Sequence, residues 1–189
     1  MLAAVYEAAR DVQLFCEARN WRFCFIGGVA VQRWGEPRQT KDADLTLLTG
    51  FGDELKYINE LLAAYAARRD DAREFALANR VLLLRHQRGV PLDFALGAFP
   101  FEENSIQRSS LWEAAPGVML RTCCAEDLVV HKAFANRNID WADVERIIQR
   151  QGRRLDIALI RRELAPLVEL KEEPEILAEL ESIVRNQLT

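Results

Sequence analysis

Asp42 and Asp44, one residue apart, and Asp93, alone in the run Pro91-Leu92-Asp93-Phe94-Ala95-Leu96, are the residues best suited to chemistry. The period of two along a strand puts Asp42 and Asp44 on one face, with Cβ atoms about 6.5–7 Å apart. Carboxylates so spaced can converge on a hard cation such as Mg²⁺, which prefers oxygen ligands and keeps positions open for phosphate. Asp93, on one face of an otherwise apolar strand, needs a partner or a metal, because an unpaired buried carboxylate is costly. Two metals about 3.5–4 Å apart, held by three aspartates, would activate a hydroxyl and stabilise a phosphoryl transition state. Taken singly, each feature has a plainer explanation: Asp-x-Asp is common on solvated strand edges, and a lone strand aspartate commonly pairs with lysine or arginine. The order of features strengthens the chemical reading. Ile26-Gly27-Gly28 ends a strand and opens a helix, so its amides can approach phosphate without a Cβ clash. The basic stretch Arg38-Gln39-Thr40-Lys41 then leads directly into the aspartate pair.

The elements that must position these residues are legible in outline. Leu2, Val5, Ala9, Val12 and Cys16 share a helical face, giving an amphipathic helix that ends near Asn20. Phe23 to Ile26 reads as a buried strand, and Val29 to Trp34 as a short helix closed by Gly35 and Pro37. Asp42 to Leu48 forms the next strand. Asp53 caps a helix with a stripe of Leu55, Ile58, Leu62 and Tyr65, followed by a second helical piece, Ala72 to Asn79. Val81 to Leu84 and Leu92 to Leu96 form a hairpin around Gln87-Arg88-Gly89, with Leu92, Phe94 and Leu96 facing away from Asp93 and Ala95. Gly97 to Ser110 reads as a loop, and Gly117 to Thr122 as a last strand. From Ala125 onward the pattern is helical, with Pro166 and Pro174 each expected at a helix start. The order is α+β first and helix afterwards, with a division at residues 1–122 and 123–189.

The bulk composition narrows the function classes. The 189 residues suffice for one core with a helical extension. A formal net charge of -4 provides no global attraction to nucleic acid or to an anionic membrane. Cys16, Cys24, Cys123 and Cys124 lack zinc-site spacing and make a poor disulfide framework, so reduced thiols are expected. With no signal pattern and no long apolar span, the chain is expected in the cytoplasm, with no membrane partner. The full Gly-x-Gly-x-x-Gly spacing is missing, which disfavours a dinucleotide-binding enzyme. His86 and His131 are expected to be structural or surface groups, Trp34, Trp112 and Trp141 core or interface residues, and Glu102 and Glu103 solvated. The basic run from Arg146 to Arg162 and the acidic run from Glu163 to Glu181 are solvated faces by default, with RNA phosphate the alternative for the first and a basic protein partner for the second.

Gly27-Gly28-Val29-Ala30 through Arg38-x-Thr40-x-Asp42-x-Asp44 resembles the signature of the nucleotidyltransferase superfamily, in its bacterial AbiEii-like, toxin-type form. The resemblance continues in Asp93 to Gly97, Pro100 to Glu103, Glu126 to Lys132 and Arg137-x-x-Asp140-x-x-Asp143. It implies an α/β (α+β) fold with a mixed β-sheet flanked by helices and a helical C-terminal part. It also implies metal-dependent transfer of a nucleoside monophosphate from a nucleoside triphosphate to an acceptor hydroxyl. The acceptor would be RNA (tRNA included), protein or a small molecule, and the setting that of a toxin with a cognate antitoxin. By the resemblance, Asp42, Asp44 and Asp93 hold Mg²⁺ or Mn²⁺, and Asp93 lies nearest the acceptor hydroxyl. Gly27 and Gly28 hold the triphosphate, and Lys132 contacts phosphate. Lys132 has an alternative as a snorkelling flank residue. Arg38 and Thr40 either touch phosphate or fix the loop. Asp140 is read as a helix N-cap, with Asp143 aiding the first turn, ahead of a direct catalytic role that the shared motif leaves open for both. The rival class is a non-catalytic domain of the same fold that binds a nucleotide or a protein partner.

Overall fold

The Asp44 strand forms the middle of a sheet because both its neighbours can reach it. β1 (Phe23–Phe25) pairs with β2 (Ala43–Leu48) antiparallel, and β2 pairs with β5 (Pro91–Gly97) in parallel over six residue pairs. Adding β3 (Ala66–Ala67), β4 (Val81–Arg85), β6 (Ser110–Ala115) and β7 (Val118–Thr122) gives a mixed seven-stranded sheet, ordered β3-β4-β5-β2-β1-β7-β6. The structure, a computed structural model, describes residues 2–188. Within these, the chain forms two compact units.

The first unit runs up to Val29 and resumes over Gln39–Cys123; it holds the whole sheet. Leu92, Phe94 and Leu96 of β5 and Leu45 and Leu47 of β2 alternate into one core, with Asp44 and Asp93 left on the opposite face. α1 (Leu2–Glu17), α3 (Glu54–Ala64) and α4 (Ala72–Asn79) supply Val5, Val12, Ile58, Leu61 and Ala76 to this core. β7 meets β1 only at Phe25 and Thr122, which leaves part of its edge open. The Gln13 side chain fills the gap as a substitute strand: its Nε2 donates to the Met119 carbonyl at 3.2 Å and its Oε1 accepts from the Arg121 N–H at 2.8 Å.

The second unit comprises Ala30–Arg38 and the chain from Cys124 onward. It contains the later turns of α2 (Gly27–Trp34), then α6 (Ala125–Ala135), α7 (Asn138–Gln151), α8 (Ile157–Lys171) and α9 (Glu175–Leu188). Among the described residues, no helix is long and apolar enough to cross a membrane. All four cysteines are free thiols.

Several local expectations are corrected. The expected loop after Gly97 contains α5 (Pro100–Arg108), an element with little apolar periodicity because Ser105 occupies one of its buried positions. Pro100 starts the helix, and Glu102 caps it: Oε2 accepts from the Ala98 and Phe99 amides at 2.7 and 2.9 Å. Glu102 is therefore engaged rather than solvated. β3 and β6 went unread; β3 has two residues, too few for alternation, and β6 is an edge strand whose residues are exposed or half-buried. Leu55 is exposed, and Leu61 takes its place in the buried stripe of α3. Pro166 lies inside α8 rather than at its start, on the exposed side.

Candidate active site

The parallel register of β2 and β5 sets Asp44 directly opposite Asp93. Neighbouring strands lie about 4.8 Å apart, so two carboxylates project side by side from one face. Asp42 immediately precedes β2. Its charge acts on Asp93: burial pushes the Asp93 carboxyl above its usual value, Arg68 pulls it back, and Asp42 pushes it up again.

The glycine turn is shaped around Asp44. Gly27 opens α2 at φ +53°, and a Cβ there would stand 1.9 Å from Asp44 Oδ2. The Gly28 N–H points at the same oxygen at 3.3 Å, while a Cβ on Gly28 would meet Thr40 Oγ1 at 2.1 Å. Two glycines are needed because a carboxylate and a hydroxyl press against the start of the helix. Thr40 is buried and its hydroxyl donates to Asp42 Oδ1 at 2.9 Å, fixing the side chain that leads into β2.

Arg68, which sequence reasoning missed, is the hydrogen-bond partner of Asp93. Its backbone N–H donates to the Leu83 carbonyl at 3.1 Å, and Leu83 is in register with Asp93. Arg68, Leu83, Asp93 and Asp44 thus form one row across the sheet. The only available sequence signal was the plainer expectation that a strand aspartate pairs with a base; β3 was too short to say which base.

The donor chemistry here, carboxylate oxygens on adjacent backbone positions beside a glycine cradle, fits a hard divalent cation. As the side chains stand, Asp44 faces the Gly28 amide and Asp93 faces Arg68. Among the described residues, no three His, Cys, Asp or Glu side chains form a ligand set. Asp42, Asp44 and Asp93 would have to turn toward one another to hold the ion.

The remaining expected site residues lie within the second unit. Lys132 is buried, and its Nζ lies 2.7 Å from Asp140 Oδ1 and 3.0 Å from Asp143 Oδ2. Arg38 grips Asp143 with both Nε and Nη2, at 2.8 and 2.7 Å. Burial pushes the Asp143 carboxyl up, but Arg38 and Lys132 outweigh it and hold the group below its ordinary value. Arg137, not Asp140, is the N-cap residue of α7; Asp140 lies in the first turn, fully buried between Lys132 and Arg137. Asp140 and Asp143 are thus halves of buried ion pairs rather than an N-cap and its first-turn helper. The structure brings Gly27, Gly28, Thr40, Asp42, Asp44 and Asp93 together in the first unit, and Arg38 and Lys132 around Asp143 in the second.

The fold is that of nucleotidyltransferases. It is similar to the antibiotic-resistance factor ANT(2'')-Ia, at 17% identity and a TM-score of 0.58 over 93% of this chain and 97% of that one. An antigenic nucleotidyltransferase-like protein from Paracoccidioides brasiliensis matches at 13% identity and a TM-score of 0.51, over 95% and 93% of the two chains. The lincomycin-bound lincosamide antibiotic adenylyltransferase LnuA matches at 14% and 0.50, over 75% and 94%. No curated protein matches the sequence. Residues 14–187 match the family described as nucleotidyl transferase AbiEii toxin, Type IV TA system, and the chain belongs to that family.

Proposed function

We propose that this protein transfers a nucleoside monophosphate from a nucleoside triphosphate to an acceptor hydroxyl, with release of pyrophosphate. The observation that carries this reading is the register of Asp44 against Asp93, with the Gly27-Gly28 turn closed on the Asp44 carboxylate. The acceptor oxygen bonds to the α-phosphorus as the bond from that phosphorus to the β-phosphate bridging oxygen breaks. Asp93, opposite Asp44 on the adjacent strand, takes the hydroxyl proton. Amides at the start of α2 receive phosphate oxygens, helped by the helix dipole. Mg²⁺ or Mn²⁺ held by Asp42, Asp44 and Asp93 would neutralise charge on the transferring phosphate. Thr40 donates to Asp42 and Arg38 is paired with Asp143, contacts that support the loop-fixing role for both. A phosphate role for Lys132 carries a cost, since its ammonium would have to leave one of two buried carboxylates.

The family setting makes a cognate antitoxin the expected protein partner and RNA, tRNA included, an expected acceptor. The test is incubation of the full chain with each α-labelled nucleoside triphosphate, Mg²⁺, total RNA and cell extract. Label should appear on one acceptor class and fall by about a hundredfold or more in Asp42→Asn and Asp93→Asn. Undiminished transfer in both variants sinks the roles given to these aspartates.

One observation favours a second reading, binding without transfer: Asp93 is already neutralised by Arg68. Calorimetry decides between them. Tight nucleotide binding indifferent to Mg²⁺, with no label on any acceptor, establishes the non-catalytic protein.

A further inference from the structure

Arg68 reaches Asp93 across the intervening strand β4. Its backbone sits beside β4, one strand beyond the neighbour of β5, so its side chain must pass over Leu83 to meet the carboxylate. The intervening spacing is about two strand widths, near the full reach of an arginine. The contact is also incomplete. Only Nη2 engages Asp93, through Oδ1 alone, and Arg68 Nε is buried with no hydrogen-bond partner. A guanidinium paired with a carboxylate frequently makes the two-pronged contact seen between Arg38 and Asp143. Arg68 instead makes a single-pronged contact and leaves one of its own donors unsatisfied, an arrangement that costs free energy to keep.

We propose that Arg68 is an exchangeable counter-ion of Asp93: it neutralises the carboxylate in the nucleotide-free protein and is displaced from it when a divalent cation binds. The proposal rests on the reading of Asp42, Asp44 and Asp93 as cation ligands. Arg68 is a positioning residue here, since it acts through Asp93. Its charge substitutes for the cation's, which allows Asp42, Asp44 and Asp93 to lie close together before loading. The exchange also explains why the three carboxylates do not form a ligand set as the side chains stand. One of them is turned to an internal cation. The Leu83 side chain beneath Arg68 is half-buried and offers no competing polar group.

The proposal is tested by Mn²⁺ binding to the full chain, followed by the electron paramagnetic resonance of free Mn²⁺, without nucleotide or acceptor. Arg68→Gln should bind Mn²⁺ about tenfold more tightly than the unaltered protein, because the cation no longer competes with the guanidinium. Arg68→Lys, which keeps the charge, should lie between the two. Asp93→Asn should weaken binding in either background. Equal or weaker binding by Arg68→Gln, with the Asp93→Asn loss intact, overturns the counter-ion and leaves the metal-ligand reading standing. Absence of Mn²⁺ binding in both the unaltered protein and Arg68→Gln overturns both. A second measurement needs no variant: Mg²⁺ titrated into the unaltered protein should shift the Arg68 guanidinium NMR resonances at saturation. A guanidinium unmoved by saturating Mg²⁺ contradicts the exchange.

Discussion

At Gly27 two constraints coincide, a positive φ and a missing Cβ, and they can be separated by experiment. Gly117 also has a positive φ, +73°, but a Cβ there meets nothing within 4 Å. Alanine at either position pays for the left-handed conformation, about 1–2 kcal/mol. Only at Gly27 must the new carbon also push Asp44 aside. Gly117→Ala is therefore expected to lower thermal stability while leaving nucleotide transfer near that of the unaltered protein. Gly27→Ala should lose about tenfold or more of its transfer rate beyond any loss of folded protein. Parallel melts and label-transfer assays check this, and equal activity in the two variants would falsify the close approach as a functional constraint. Lys132 shows how burial complicates such experiments. Removing its ammonium leaves Asp140 and Asp143 short of a partner in the interior, so an inactive Lys132 variant reports on folding as well as on chemistry.

Among the elements, β7 depends on a side chain for part of its pairing. The carboxamide of Gln13 supplies a donor and an acceptor in the spacing of a peptide group, satisfying Met119 and Arg121 where β1 does not extend. Gln13→Ala leaves both backbone groups without that partner and should cost about 1–3 kcal/mol. In urea the midpoint should fall while the slope stays constant, because the folded surface is unchanged. An unmoved midpoint means solvent replaces the amide without cost. Helix α5 owes its existence to its ends: Pro100 and the Glu102 carboxylate organise the first turn, and only Phe101, Ser105 and Ile106 are buried along it. Where few apolar residues repeat, capping is the stronger sequence signal.

At the scale of the whole molecule, acid should destabilise the fold in two windows. Burial pushes the His131 imidazole down to about 4, with Lys132 adding to the shift and Asp127 opposing it. The unfolded imidazole takes up its proton below about 6.5, so stability is lost as pH falls from about 6.5 to about 4. The Asp143 carboxyl is held below its ordinary value, so its contribution is present above the unfolded carboxylate value and is lost as pH falls further. Melting temperature measured against pH should decline through both ranges. His131→Gln should flatten the upper range in part only, because His86 is also lowered by burial and acts with the same sign. An unchanged slope above pH 4 in that variant would rule out a buried neutral His131.

The linear sequence determined the glycine turn, the aspartate pair and the strand aspartate, because each depends on residue type and short spacing. It also determined the main alternation of β2 and β5 and the helical character of the C-terminal part, since burial of one face imposes a period that the order of apolar and polar residues records. It did not determine Arg68 as the partner of Asp93, the inclusion of Ala30–Arg38 with the C-terminal helices, or the burial of Asp140 and Asp143. These are pairings between residues far apart in the chain, and a charge has the same sequence signature whether solvated or buried against its counter-ion. The two aspartates of β2 and β5 were legible one by one. Only the parallel register of the two strands set Asp44 opposite Asp93.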